Sequence, residues 1–231
     1  MILTLTARKP EAKDVESFIF EPAGPLVWRA GQYLHYVLHH RPTDDRGSDR
    51  WFTVSAAPSE GHVMVTTRFA GPPAGGGSSF KKGLTALKVG DIIEISEVEG
   101  DFVIADPSAE YVFIAGGIGI TPFRAILMEA SHAGVMPKVT LLYGNRDTDV
   151  PFKAELDAIA AGSSNLTIHY LTAPQVIDEA AIRALVSDLS APLFYVSGPA
   201  PMVFALSDVL KGMGVAEERI KLDDFPGYPA E

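Results

Sequence analysis

The sequence predicts two halves of different class: an antiparallel β-barrel over residues 1–106, followed by a parallel-sheet α/β unit over residues 107–231. Three observations predict it. Short β-favouring runs separated by Gly and Pro follow one another from Ile2 to Asp106. After Asp106-Pro107-Ser108 the pattern changes to strands alternating with helices, which implies a doubly wound parallel sheet. The stretch from Tyr111 to Ala125 reads as a buried strand, a glycine turn and the start of a helix. At 231 residues the chain is long for one core, so two modest domains are expected.

In the first half the predicted strands are Leu3–Ala7, Ser17–Phe20, Gln32–His40, Arg50–Ser55, His62–Phe69 and Asp91–Ser96. Only Ser79–Leu87 reads as helix there. In the second half, helix is expected over Phe123–His132, Pro151–Ala161, Glu179–Leu189 and from the Ser197–Met202 loop to Lys211. Strands are expected at Tyr111–Ala115, Lys138–Tyr143, Leu166–Leu171, Leu193–Val196 and Arg219–Leu222. In such sheets ligands bind beyond the carboxyl ends of the strands. That rule selects three loops: Gly116–Thr121, Gly144–Arg146 and Ser197–Met202.

Composition excludes several chemistries. Hydrophobic residues at 47% and charged residues at 21% are a globular balance. The mean hydropathy of +0.14 raises a membrane question, but no apolar run approaches the ~20 residues of a spanning helix. The chain has no cysteine, which removes disulfides, thiolate nucleophiles and cysteine-ligated iron–sulfur clusters. A net charge of −10 argues against nucleic acid or an anionic membrane surface as the main partner. No export signal is visible at Met1–Lys9, so a cytoplasmic location is expected. His35, His39 and His40 lie close in sequence, with His35 and His39 expected on one strand face, but their spacing suits no metal site.

Two glycine-rich loops carry a possible anion chemistry. Gly116, Gly117 and Gly119 lead to Thr121, whose hydroxyl can cap the next helix, and Pro122, which suits its first turn. A glycine turn entering a helix N-terminus presents backbone N–H groups to phosphate. The pattern is not G-x-G-x-x-G, because it ends in Pro122. The second loop, Gly71–Phe80, places glycines and serines before a helix, a second place where backbone N–H groups could cradle phosphate; a lone glycine cluster is more often a flexible loop. Along Arg50-Trp51-Phe52-Thr53-Val54-Ser55, alternation sets Trp51, Thr53 and Ser55 on one face and Arg50 and Phe52 on the other. Taken alone, this segment reads as an ordinary strand.

Taken in order, these segments resemble the ferredoxin–NADP reductase superfamily of flavoprotein reductases. The likeness runs from Arg29-Ala-Gly-Gln-Tyr-Leu34 to Asp223-Asp-Phe-Pro-Gly-Tyr228. Its strongest parts are Arg50-Trp-Phe-Thr53 against the family's R-x-Y-[ST], the G-G-x-G-x-T-P of Gly116–Pro122, and Ser197-Gly-Pro-Ala-Pro-Met202 against C-G-P-x-x-M. The resemblance implies FAD on the barrel and NADH or NADPH as hydride donor on the α/β half. It implies that Arg50 pairs with the FAD pyrophosphate, Phe52 packs on the isoalloxazine and Thr53 hydrogen-bonds near its N5. Gly76, Gly77, Ser78 and Ser79 would hold the pyrophosphate, with Trp51, Thr66 and Thr67 also counted among the cofactor-binding residues. Gly117, Gly119, Thr121 and Arg146 would meet the dinucleotide, and Ser197, Gly198 and Met202 would lie where nicotinamide enters. Tyr228 would cover the other flavin face, or else belong to an exposed tail. Thr53, Ser197 and Tyr228 are the catalytic candidates; Asp223 or Asp224 is a weaker candidate for the flavin edge.

Departures from the family re-tune these expectations. Phe52 replaces Tyr and loses a phenolic hydrogen bond, Ser197 replaces Cys, and Glu97-Val98 replaces Gly-Pro before Gly100. Slower or re-tuned hydride transfer is expected. Asp147 and Asp149 follow Arg146, and Thr172–Gln175 offers no cation, so NADH is favoured. The expected activity is hydride transfer to bound FAD with electrons passed to a separate acceptor: a ferredoxin-like protein, an oxygenase component or a small molecule. The alternatives are a reductase using dissociable flavin, and a non-catalytic electron-relay subunit.

Overall fold

The computed structural model describes residues 1–69 and 77–225. Six strands form the first sheet: β1 (Ile2–Ala12), β2 (Val15–Pro22), β3 (Tyr33–Val37), β4 (Asp49–Thr53), β5 (Val63–Arg68) and β6 (Ile92–Glu99). Every pairing is antiparallel, in the order β4-β3-β6-β1-β2-β5. Register shifts between Leu5 and Ala7 and between Pro10 and Ala12 interrupt the β1–β2 ladder, and such bulges bend and twist a strand pair. The sheet curls into a half-barrel. Beyond β4, the Ser55 N–H donates to the Met64 carbonyl of β5 at 2.8 Å, drawing the two edge strands together. Inside lie Leu3, Leu5, Phe18, Phe20, Leu34 and Tyr36, all fully buried. Helix α1 (Ser79–Ala86) adds Phe80 and Leu84 to this core.

The second sheet is parallel. It comprises β7 (Glu110–Gly116), β8 (Lys138–Asn145), β9 (Leu166–Thr172), β10 (Leu193–Pro199) and β11 (Ile220–Phe225). The connecting helices are α2 (Thr121–Ala133), α3 (Lys153–Ala161), α4 (Glu179–Leu185) and α5 (Ala200–Gly212). The order β11-β10-β7-β8-β9 starts at a central strand, runs outward on one side, then crosses to the other. Its direction reverses between β7 and β10, and that reversal opens a crevice at their carboxyl ends. From Tyr111 to Gly116 every residue is buried, which is why β7 reads as an unbroken apolar run.

Boundaries differ from the sequence reading where one residue's backbone overrides the pattern. Phe152 sits at φ 60°, so the third helix of the chain begins at Lys153 rather than Pro151. Strand β3 stops at Val37, which removes His39 from the face that carries His35. Helix α4 ends at Leu185, short of Leu189.

The two sheets share one interior. Phe102, in the connection between them, packs against Phe123 at 5.5 Å and Tyr195 at 4.9 Å between ring centroids. The Tyr195 hydroxyl donates to the Val103 carbonyl at 3.0 Å. A charged cluster adds to this. Arg124 on α2 is only 4% exposed. It donates to the Ser55 carbonyl at 3.0 Å and to both carboxylate oxygens of Glu60, all from the first half. Its other bonds go to Glu155 of α3 at 3.0 and 2.8 Å, and Lys9 of β1 meets Glu155 at 2.6 Å. Burial would raise the Glu155 carboxyl, but Lys9 and Arg124 outweigh it and hold the group below its usual range.

Removing one partner from such a cluster leaves buried charge uncompensated. Arg124→Met is therefore expected to cost about 3–5 kcal/mol, read from the urea midpoint against wild type. A loss below about 1 kcal/mol would mean that water already reaches the cluster.

Candidate functional site

The crevice between β7 and β10 is built by three glycines with separate tasks. A Cβ on Gly116 would overlap the Met202 sulfur, and one on Gly119 would overlap the Ser197 carbonyl. Those two glycines let α5 and the end of β10 close onto the turn. Gly117 differs: it sits at φ +53°, and among the described residues nothing lies within 4 Å of its Cβ position. Close approach of a ligand is available there. Residues Gly117–Ile120 form a 3-10 turn leading into α2.

That turn corrects the expected cap. The Thr121 hydroxyl donates backward to the Ile118 carbonyl at 3.2 Å and does not cap α2, and the Thr121 N–H goes to the same carbonyl. Thr121 and Gly119 are buried, so part of the expected anion cradle is already satisfied internally.

At the end of β10, Ser197 is fully buried and its hydroxyl donates to Asp223 of β11 at 2.9 Å. The two residues are direct partners in the parallel ladder. Burial pushes the Asp223 carboxyl up to about 6; the Ser197 bond opposes the shift, and the Asp224 charge adds to it. Gly198 continues β10, and Met202 lies in the first turn of α5. Arg146 follows β8 at the same edge of the sheet. Phe225 ends β11 opposite Pro199 and brings an aromatic ring to this edge. Sequence reasoning passes over it in favour of Tyr228, which lies outside the described residues, as does Gly76.

On the first sheet, Arg50 and Phe52 share a face with Tyr36. Phe52 meets Tyr36 at 6.0 Å and Phe80 at 5.6 Å, and the Arg50 guanidinium stands 5.7 Å from the Phe80 ring. Trp51 points the other way. It is 44% exposed, stacks on His35 at 4.5 Å and meets Tyr33 at 5.3 Å, apart from the Arg50 group. Thr53 is buried at the end of β4. Thr66 and Thr67 are buried on β5, where the Thr66 hydroxyl bonds that of Ser17 at 2.7 Å. Gly77 precedes α1, and the Ser78 hydroxyl caps this helix by accepting from the Lys81 N–H at 3.3 Å.

One carboxylate gathers donors from two elements. The Asp44 carboxylate accepts from Arg50 at 3.0 Å and from the Ser79 N–H of α1 at 2.7 Å. A guanidinium and a helix N-terminus thus converge on one negative group, and this donor set fits a phosphate. Neither Asp44 nor Arg124 is visible as a site residue in the sequence. Asp44 meets Ser79 across 35 positions and Arg124 meets Glu60 across 64, and no local spacing signals such pairs.

Residues 113–208 match the family model of the oxidoreductase NAD-binding domain. Over 207 residues the chain is 33% identical to the F subunit of the Na(+)-translocating NADH-quinone reductase of Shewanella denitrificans, covering 79% of this chain and 50% of that protein. The corresponding Serratia proteamaculans protein is 30% identical over 215 residues, with 83% and 52% covered. The chain spans about half the length of these curated relatives. Its fold matches the flavohem-like FAD/NAD-binding domain of Vibrio cholerae nitric oxide dioxygenase with a TM-score of 0.83 at 22% identity, covering 97% and 98% of the two chains. It also matches Plasmodium falciparum ferredoxin–NADP+ reductase at 0.80 and 17% identity, covering 97% and 95%. The chain thus joins a curled antiparallel sheet to a parallel sheet that carries an oxidoreductase NAD-binding domain. It shares its fold with solved structures of ferredoxin–NADP+ reductase and of the flavohem-like FAD/NAD-binding domain. Among the described residues no helix is long and apolar enough to cross a membrane.

The glycine roles separate experimentally. Gly119→Ala should unfold at a markedly lower temperature, because backbone must move to admit the Cβ. Gly117→Ala should cost only about 1 kcal/mol of backbone strain while weakening nicotinamide dinucleotide binding. Thermal melts and a dinucleotide titration distinguish them.

Asp223 supplies a pH test. Its folded pKa lies above the unfolded value, so its contribution to stability is full below about pH 4 and is lost as pH rises through about 6. Asp223→Asn should therefore be more stable than wild type by about 1–2 kcal/mol at pH 8, with the advantage vanishing near pH 4. Melts that differ equally at both pH values would remove ionisation as the cause.

Proposed function

We propose that this chain takes hydride from NAD(P)H, with NADH favoured, onto FAD held by residues 1–106, and passes the electrons to a separate acceptor. The nicotinamide belongs to residues 107–231. The observation that carries this reading is the convergence of Arg50 and the Ser79 N–H on one anion position, on a sheet locked to the Gly117 turn through Arg124.

FAD supplies the hydride-accepting ring and the means to release electrons onward. The chain supplies position. Arg50, Ser79 and the residues from Gly76 to Ser78 hold the pyrophosphate; Phe52 packs against the ring, and the Thr53 hydroxyl hydrogen-bonds its edge. Trp51, with its ring on the opposite face, and Thr66 and Thr67 have supporting places in this half. The Gly117 turn admits the dinucleotide, with Gly119 and Thr121 shaping its backbone and Arg146 at the adenosine side. Ser197, Gly198 and Met202 line the nicotinamide entry, where the buried Ser197 hydroxyl is held by Asp223. Phe225 or Tyr228 covers the exposed flavin face. Asp147 and Asp149 beside Arg146, and the absence of cations from Thr172 to Gln175, support NADH.

The acceptor is a ferredoxin-like protein, an oxygenase component, or a diffusible flavin or quinone. The curated relatives belong to a quinone reductase, which gives the last class its support. One anaerobic titration tests the reading. FAD should survive gel filtration in stoichiometric amount, and its visible absorption should bleach faster with NADH than with NADPH. A flavin that stays oxidised with both donors would overturn the assignment. Faster bleaching by NADPH would reverse the donor preference.

A further inference from the structure

We propose that Asp44 and the flavin pyrophosphate compete for the same donors, so that flavin binds only as the loop carrying Asp44 gives way. The inference rests on the flavin reading above and adds a control on how tightly that cofactor is held.

The Asp44 carboxylate is fully engaged. Oδ1 accepts from the Arg50 guanidinium at 3.0 Å and from the Arg46 N–H at 3.1 Å; Oδ2 accepts from the Ser79 N–H at 2.7 Å. The bond to Ser79 is reciprocal, because the Asp44 N–H donates to the Ser79 hydroxyl at 2.9 Å. His40 reaches that hydroxyl too, at 2.8 Å. The remaining contacts of the Arg50 fork go to the carbonyls of Arg46, Gly47 and Asp49. The loop therefore satisfies both of the groups that would hold a pyrophosphate, and it does so with a negative charge.

Two anions cannot share this arrangement. The Ser79 N–H of α1 lies 2.7 Å from Asp44, so a phosphate on the same donor would stand within contact range of a like charge. Asp44 is ionised at neutral pH, since its bond from the Ser79 backbone N–H holds the carboxyl down to about 2. Protonation thus offers no escape, and the carboxylate must move. The structure leaves room for this. A cavity of about 560 Å³ lies between the loop and α1, lined by Leu38, His40, Asp44, Ser79, Lys82 and Leu87. The Leu38 N–H to Ser48 carbonyl bond at 2.9 Å closes the base of the loop, and Gly47 at φ +72° lies beside it.

The competition makes a prediction opposite in sign to that for an ordinary binding residue. The full chain is stripped of flavin and titrated with FAD, inorganic pyrophosphate and riboflavin, following flavin fluorescence or heat. Asp44→Asn and Asp44→Ala should bind FAD about tenfold tighter than wild type, the order expected when a charge-assisted pair no longer has to be broken. Pyrophosphate should tighten in parallel, and riboflavin, which carries no phosphate, should be unchanged. Asp45→Asn controls for bulk charge and should match wild type; circular dichroism confirms that each variant is folded. Unchanged or weaker FAD binding in both Asp44 variants would overturn the competition while leaving the flavin reading in place. If wild type and all variants fail to bind FAD, the flavin reading itself falls, and the competition with it.

Discussion

Arg124 joins the turn beyond β4 to the helix that follows the glycine turn, reaching Ser55 and Glu60 on one side and Glu155 on the other. The guanidinium suits this task because its planar fork offers five donors in fixed directions, where an ammonium is a single point charge. A buried cluster of this kind contributes little net stability compared with a well-packed apolar group, but it tolerates few other geometries. Relative placement is what it secures. Thr53, two residues before Ser55, and Gly117, seven residues before Arg124, are set in a common frame.

The chain is acidic, with a net charge of −10, yet on the first sheet Arg50 and the N-terminus of α1 converge on a single carboxylate, that of Asp44. Local devices make this arrangement: a guanidinium and a helix N-terminus. Local fields of this kind are strong at short range and are little affected by the net charge of a distant surface. The Phe80 ring under Arg50 also positions the cation without adding negative charge.

The architecture is legible because periodicity reports burial directly. β7 reads as an unbroken apolar run since both faces are covered, and β3 alternates because only one face is. What stays hidden depends on contacts across long sequence separations. Glu60 and Arg124 meet across 64 positions, and Asp44 meets Ser79 of α1 across 35. Thr121 shows the opposite failure. Its cap signal is sound locally, but the preceding residues close a 3-10 turn that takes its hydrogen bonds first. The glycines read as one motif, whereas neighbours invisible in the sequence give Gly116 and Gly119 to packing and leave Gly117 open.

The connection between the sheets has a consequence for how such a protein can be rearranged. Phe102 is buried among Phe123 and Tyr195, and the Tyr195 hydroxyl reaches back to Val103. One apolar cluster runs from Leu3 and Phe20 through Phe102 to Phe113 and Leu141, without a break at the change of sheet. The second sheet is therefore not a cassette that can be spliced onto another scaffold by cutting at the change of pattern. A chimera that retains residues 100–105 with the second sheet keeps that face covered; one that discards them exposes the rings of Phe123 and Tyr195 to water.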